Sequence, residues 1–466
     1  MAVIGALVVS VAGYTAPAGA ASAARTPQQV GPVSPTAALG TPELTKTGSS
    51  QDSIRQMVQC GDTMYAVGHF PSITQGGVAY PRTNVFSFSA IAPYTITSWS
   101  PDVNGDVNSI AFNGTDCADA YIGGDFTNVS GTAVENIAEI DTTTGAVDPT
   151  FGTDATNQVE TLLAVGGHLL VGGYFGRING TKDPFMASVS PVTGDDDGFL
   201  HLNISGTYSY CTPGGGPCTS SGNRSMVYNQ QLSHGGTLDL VEGRFTSVGG
   251  QQREQIFMLN LATDPATVTG WTSPEFDGSN PSYPYQCYVS EAFYVRSAAW
   301  SPDDSTVYLA TTGYHPNGLP TGNSPRSGDC DAAIAFPATQ TSVLHTWITY
   351  TGCDSYYSVS ADDGAVYVAG HPRWTENPNG CDFQGPGAVP DKGLQGLNPS
   401  TGEVEMNSAD TGPLYTMTRA NADNMLITDA GLWISSTNRY TVNDCGNATG
   451  KTAGGHAGIC FLPYTS

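Results

Sequence analysis

One feature limits the fold of this chain more than any other: it repeats itself. Residues 120–140 read AYIGGDFTNVSGTAVENIAEI, residues 169–189 read LLVGGYFGRINGTKDPFMASV, and residues 239–259 read DLVEGRFTSVGGQQREQIFML. Each copy is an apolar strand, a Gly-x-Phe step, a turn closed by Gly and a second alternating strand. A more worn copy, MYAVGHF, ends at Phe70, so the Phe recurs at Phe70, Phe126, Phe175 and Phe245. VYLATTGYH (307–315), VYVAGHP (366–372) and LWISSTN (432–438) keep the strand and lose the Phe. An apolar strand and tight turn precede each copy, as in SIAFNGTDCADAY, and a hairpin such as IAEIDTTTGAVDPTF follows most of them. Seven units of four strands, A to D, at a period of about 50 residues predict an all-β, seven-bladed β-propeller of four-stranded antiparallel blades. A β-sandwich has no reason to repeat one unit seven times. The seventh unit ends on strand C, HAGICFLPY, so the N-terminal strand PELTKTG is expected to close the last blade and remove an open edge.

At these residues the chain resembles the delta-60 repeat propellers of secreted bacterial proteins, and it is similar to the repeats of fungal cortical polarity-marker ectodomains. The likeness covers roughly residues 53–260 and is weaker beyond, where SPDDSTVYLA and SADDGAVYVAG are closer to generic propeller strands. It implies a fold and a secreted setting, with no catalytic residues to transfer.

The run Ala2 to Ala12 and the small-residue stretch that follows offer cleavage after Ala20 or Ala23, a secretory signal peptide over 1–23. No Lys or Arg precedes Arg25, which leaves open a start upstream of Met1. The apolar run is shorter than the roughly 20 residues of a spanning helix, and no membrane span is expected in the mature chain. Residues 24–41 read as a disordered leader, and 42–466 as a single domain. A formal charge of -25 with 16 Lys plus Arg excludes a nucleic-acid partner. Ten cysteines beside a signal sequence indicate an extracellular, oxidising setting and up to five disulfides. Loop neighbourhoods suggest Cys60 with Cys117, Cys211 with Cys218, Cys287 with Cys330, Cys353 with Cys381, and Cys445 with Cys460. No CxxC spacing occurs, so neither metal nor cofactor is expected.

Function is expected on one face. The A-B and C-D turns are minimal, whereas the long insertions 203–223, 274–292, 314–331, 371–393 and 440–456 fall in B-C or D-A positions. Around the mouth of that face the candidate ligand-binding residues are His69, Asp125, Tyr174, Arg244, His315 beside Tyr314, His371, Arg373, Trp374, and Arg439 beside Asn438. Mixed charge and aromatic rings suit a polar ligand, either a glycan, a peptide or an envelope component. The plain alternative is that each only caps a strand. Arg244, His371 and Arg373 give an acidic molecule a local positive rim, suited to an acidic ligand. Tyr283, Tyr285, Tyr288 and Tyr294 beside Trp271 read first as loop packing. The Asp-rich turns at 195–198, 303–304 and 362–364 lack calcium-loop spacing.

There is no G-x-S-x-G elbow and no HExxH, so catalysis is left undecided. If the protein is an enzyme it is carbohydrate-active, a glycoside hydrolase or polysaccharide lyase, with Asp125 and Glu242 the acids nearest the mouth. A non-catalytic, monomeric binding protein is the first expectation, and a purely structural or adhesive module is the third.

Overall fold

The computed structural model describes residues 31–47, 51–206, 225–276, 295–313, 329–381, 383–416, 422–437, 441–442 and 456–464. The signal-peptide reading lies outside them, as do Cys211, Cys218, Cys287, Cys445 and the four loop tyrosines. The described chain is all-β. Its helical content is the 3-10 turn Pro274–Phe276, and no helix among the described residues is long and apolar enough to cross a membrane.

Among the described residues, twelve antiparallel sheets form; five are small loop sheets, and the other seven follow one another along the chain, each ordered first, second, third strand. The first strands are Ser53–Cys60, Asp106–Ala111, Val159–Val165, Met226–Leu232, Val295–Trp300, Tyr356–Ala361 and Ala422–Thr428. Each second strand, such as Asp119–Asp125 or Leu238–Arg244, carries the apolar half of the repeat and is buried through its middle. A regular fourth strand is present in the fourth sheet (Thr267–Val268) and the fifth (Trp347–Tyr350). In the first, second, third and sixth sheets it shrinks to one bridge: Phe88 to Ile96, Ile140 to Val147, Val189 to Asp196 and Leu397 to Val404. The four-strand reading is corrected there. The outer segments, DTTTGAVDP for example, hold Asp, Gly and Pro, which shorten an exposed edge and protect it from foreign pairing.

Each first strand touches the next, and that of the seventh sheet touches that of the first. Ser53 bridges Thr437 across this last junction. The apolar interior is divided in the same way, among the described residues, into seven clusters that each span two neighbouring sheets. The cluster joining the seventh sheet to the first contains Trp433, which stacks on Phe461 at 4.2 Å and meets Phe88 edge-on at 5.6 Å. Indole N–H groups tie neighbouring sheets at their rims: Trp99 donates to the Asp141 carbonyl, Trp271 to Pro337 and Trp347 to Pro399. Trp271 is thus an inter-sheet clamp, packed edge-on to Phe336.

The N-terminal strand is also corrected. PELTKTG contributes Glu43–Leu44, which pairs with Ser72–Gln75 in the first sheet's own loop hairpin. The last strand, Ile459–Pro463, is instead edged by residues 34–38: Ser34 N–H donates to the Pro463 carbonyl and Ala38 N–H to Phe461. Val33 is 1% exposed, its N–H donates to the Tyr367 hydroxyl, and its carbonyl accepts from Tyr415. The packed chain therefore reaches back into the stretch read as a leader. PELTKTG misled because its buried Leu44 finds an apolar seat beside Ile54 and Gly458.

Cys60 is bonded to Cys117 between neighbouring turns of the first two sheets, and Cys353 to Cys381. Cys330 and Cys460 are disulfide-bonded to residues outside those described. Because apolar clusters span every sheet-to-sheet junction, reduction is expected to loosen loops before the ring. Proteolysis should rise within residues 371–393 while the β-sheet circular dichroism holds. Loss of that signal at the reductant concentration of the first cleavage would show the ring to depend on its disulfides.

Candidate functional site

All seven first strands carry a bulge at the same place. Their ladders with the second strands shift register between Ile54 and Gln56, Val107 and Ser109, Val159 and Thr161, Val227 and Asn229, Val295 and Ser297, Tyr356 and Ser358, and Ala422 and Asn424. The skipped residues are Arg55, Asn108, Glu160, Tyr228, Arg296, Tyr357 and Asp423. A bulge leaves one residue out of the ladder and re-aims its side chain. Six of these residues, Arg55 through Tyr357, line a funnel at the centre of the ring.

The inner part of the funnel is a cavity of about 280 Å³ whose lining includes Arg55, Asn108, Glu160, Tyr228, Arg244, Arg296, Tyr357 and Asn424. The outer part, about 600 Å³, adds Ser53, Asp106, Asp125, Gln158 and Thr437. The bulge is matched by the glycine of the repeat. A Cβ on Gly124 would lie 2.0 Å from the Asp106 carbonyl oxygen, and one on Gly243 would lie 2.2 Å from that of Met226. Gly68, Gly173 and Gly370 make the same approach. The glycine therefore admits the bulged strand, and the Phe two residues later, as Phe126 or Phe245, is buried beneath it.

Charge in the funnel is mixed and ordered. Arg55 donates to Asp106 at 2.6 Å and to Asn108, and His69 Nδ1 meets the other Asp106 oxygen at 2.5 Å. Burial opposes ionisation of Asp106, but the bond from His69 and the Arg55 charge outweigh it and hold the carboxyl below its ordinary range. Glu160 is the opposite case. Burial raises it, and Gln158 with the charges of Arg55, Arg244 and Arg296 only moderates the rise. Arg296 lies 5.7 Å over the Tyr357 ring, and Tyr357 meets His371 edge-on at 5.2 Å. The Tyr228 hydroxyl donates to the Val295 carbonyl.

Of the residues predicted from sequence, His69, Asp125 and Arg244 come together at this funnel, and His371 reaches it through Tyr357. Tyr174 is half-buried, with its N–H on the Gln158 carbonyl. Arg373 lines neither cavity: its guanidinium grips Asp354 in a fork at 2.8 and 2.9 Å and covers the Trp374 ring at 5.0 Å, beside a small hairpin, and the same Asp354 lies 3.8 Å from His371 Nδ1. His315 and Arg439, with Tyr314 and Asn438, fall outside the described residues. The placing of Glu242 near the mouth is corrected: it is fully buried within its sheet, beside Asn229, as is Asp239. The Asp-rich turns bind their own surroundings, for example Asp362 to the Gly364 and Ala365 N–H groups and the Tyr367 and Tyr464 hydroxyls.

The bulged residues were missed, although the sequence marks them. Each first strand breaks its alternation after an apolar residue with two successive polar or tyrosine residues: Arg55-Gln56, Asn108-Ser109, Glu160-Thr161, Tyr228-Asn229, Arg296-Ser297, Tyr357-Ser358 and Asp423-Asn424.

No family model matches the chain, and no curated protein matches it. Among solved structures it is similar to the β-propeller domain of Cps50 (Swd1) from Myceliophteria thermophila, with TM-score 0.38 and 10% identity over 68% of this chain and 79% of that one. It is similar to the extracellular domain of the one-component system BT4673 from B. thetaiotaomicron, with TM-score 0.46 and 11% identity over 92% of this chain and 40% of that one. It is also similar to the WD40 repeats of RRP9, with TM-score 0.41 and 8% identity over 92% of this chain and 99% of that one.

Proposed function

We propose that the chain is a secreted, monomeric, seven-bladed β-propeller of the delta-60 repeat kind, its last blade completed by the N-terminal segment, and that it is a non-catalytic binding protein. Its ligand is a polar, acidic molecule, a uronate-bearing glycan or an envelope component, held in the central funnel. The observation that carries this reading is the bulge repeated in all seven first strands, with six of the bulged residues, Arg55, Asn108, Glu160, Tyr228, Arg296 and Tyr357, lining one cavity. Three of the chain's 16 basic residues, Arg55, Arg244 and Arg296, line that cavity, in a molecule of net charge -25. Cations gathered at one point of an acidic surface steer and select anionic ligands. Tyr228 and Tyr357 add ring faces of the kind that pack on sugars, while Asp125 lines the outer part, His69 meets Asp106 and His371 meets Tyr357.

The test is calorimetric titration of acidic and neutral oligosaccharides, with reducing-end release followed in parallel. Acidic sugars should bind more tightly and lose affinity as salt rises. Arg296→Ala and Arg244→Ala should each weaken binding at least about tenfold, with little change in melting temperature. Equal affinity for neutral sugars in parent and variants would remove the funnel as the site. Release of reducing ends that stops in Glu160→Gln would replace binding by hydrolysis or elimination.

A further inference from the structure

Three groups that no spacing rule connects meet between the fourth and fifth sheets. Glu275 sits in the 3-10 turn Pro274–Phe276, where the chain leaves the fourth sheet. Asp329 precedes the disulfide-bonded Cys330 and the strand Ala332–Pro337, and His345 lies between that strand and Trp347–Tyr350. One carboxylate oxygen of each acid and a ring nitrogen of His345 all lie within 4.8 Å of one another.

The trio is held in place. Glu275 accepts the His345 backbone N–H at 3.2 Å through Oε2 and faces His345 Nδ1 at 2.8 Å through Oε1. Asp329 is only 6% exposed, yet its Oδ2 has no hydrogen-bond partner. A buried carboxylate oxygen that no donor reaches carries its full desolvation cost. Among the described residues no Lys or Arg pairs with either acid, and the imidazole supplies one positive charge at most. A cation would resolve the imbalance.

We propose that Glu275, Asp329 and His345 bind a divalent transition metal of the Zn²⁺ or Mn²⁺ class. The imidazole nitrogen selects this class over Ca²⁺ and Mg²⁺, which prefer oxygen throughout. Tetrahedral donors around an ion at about 2.1 Å lie about 3.4 Å apart, so side-chain shifts of at most about 1.4 Å, within reach of rotamer adjustment, close the site. Three protein ligands leave a tetrahedral position for water or for an oxygen of another molecule. The ion would also brace the exit of the fourth sheet against the fifth, and it needs no ligand in the central funnel.

The experiment uses the full chain, stripped with chelator and titrated calorimetrically with zinc, manganese, calcium and magnesium chlorides. One equivalent of Zn²⁺ or Mn²⁺ should bind and raise the melting temperature by about 3 °C or more, with Ca²⁺ and Mg²⁺ inert. Asp329→Asn and His345→Ala should each weaken that binding by about 50-fold or more while keeping the far-ultraviolet spectrum. Should Asp329→Asn not fold, the more exposed His345→Ala decides alone. Absence of one-equivalent transition-metal binding by the parent, selective uptake of Ca²⁺, or parent-like binding by the folded variants would overturn the proposal.

Discussion

The melting temperature is expected to peak near pH 4 and to fall by roughly 10 °C between pH 4 and pH 8. The cause is a set of buried carboxyls that folding makes harder to ionise. Burial pushes Asp391 up to about 6, although the Gly393 N–H and the Thr375 and Tyr356 hydroxyls favour its charged form. It pushes Glu139 up to about 7 against the Tyr121 hydroxyl. Asp239 and Glu242 are raised well above their ordinary values by burial, and Glu242 further by Asp239. For a carboxyl whose folded pKa is raised, the unfolded chain gives up its proton first. Stability is then full below about pH 4 and drains away as pH climbs through the folded value. A move from 3.8 to about 6 withdraws about 3 kcal/mol once the group is ionised. On the acid side the sign reverses for Asp106, whose lowered pKa adds stability that is lost as pH falls through it. Calorimetry from pH 4 to 8.5 checks the profile, and a flat or rising curve above pH 5 would refute it. Other units carry Leu169 and Val67 where the fourth carries Asp239 and Glu242. Asp239→Leu with Glu242→Val should therefore raise the pH 8 melting temperature and flatten the slope.

Gly124→Ala and Gly243→Ala are expected to cost about 3 kcal/mol or more each. The added methyl would lie 2.0 Å from the Asp106 carbonyl in one case and 2.2 Å from that of Met226 in the other. Both obstacles are main-chain oxygens of the bulged strand, so no side chain can swing aside. The strand must lift, which displaces Asn108 and its bond from Arg55, or Tyr228 and Asn229, from the funnel wall. Gly152→Ala is the control. Nothing lies within 4 Å of its added methyl and its φ is not positive, so the change should stay within about 0.5 kcal/mol. Denaturant midpoints for the three variants measure the difference, and equal midpoints would show that the glycine does not make room for the bulge.

These two results bear on what could be read from sequence. The second strands were legible because a Gly-x-Phe step at one register position repeats, and the packing of Phe70, Phe126, Phe175 and Phe245 rewards it each time. The funnel residues were harder. Alternation is a rule for side chains inside a ladder, and a bulged residue lies outside it, so Arg55 or Glu160 looks like noise in a strand of period two. Loop length drew attention to Arg373 and Trp374, yet the Asp354 fork holds Arg373 on its own hairpin. The outer strands and the closing segment were misjudged for a related reason. Edge backbone needs few side chains to specify it, and residues 34–38 bond to the last strand through main-chain groups that leave no composition signal.

That closing segment also sets an order of events. Residues 34–38 are made long before the strand they cap, so a chain emerging from a ribosome cannot finish its seventh sheet until Ile459–Pro463 is free. Until then Ser34 and Ala38 wait without partners, and the ring stays an open arc with Trp433 waiting for Phe461. Maturation is bounded by the same contact. A cleavage after Val33 would remove the clasp and leave the strand Ile459–Pro463 as a bare edge.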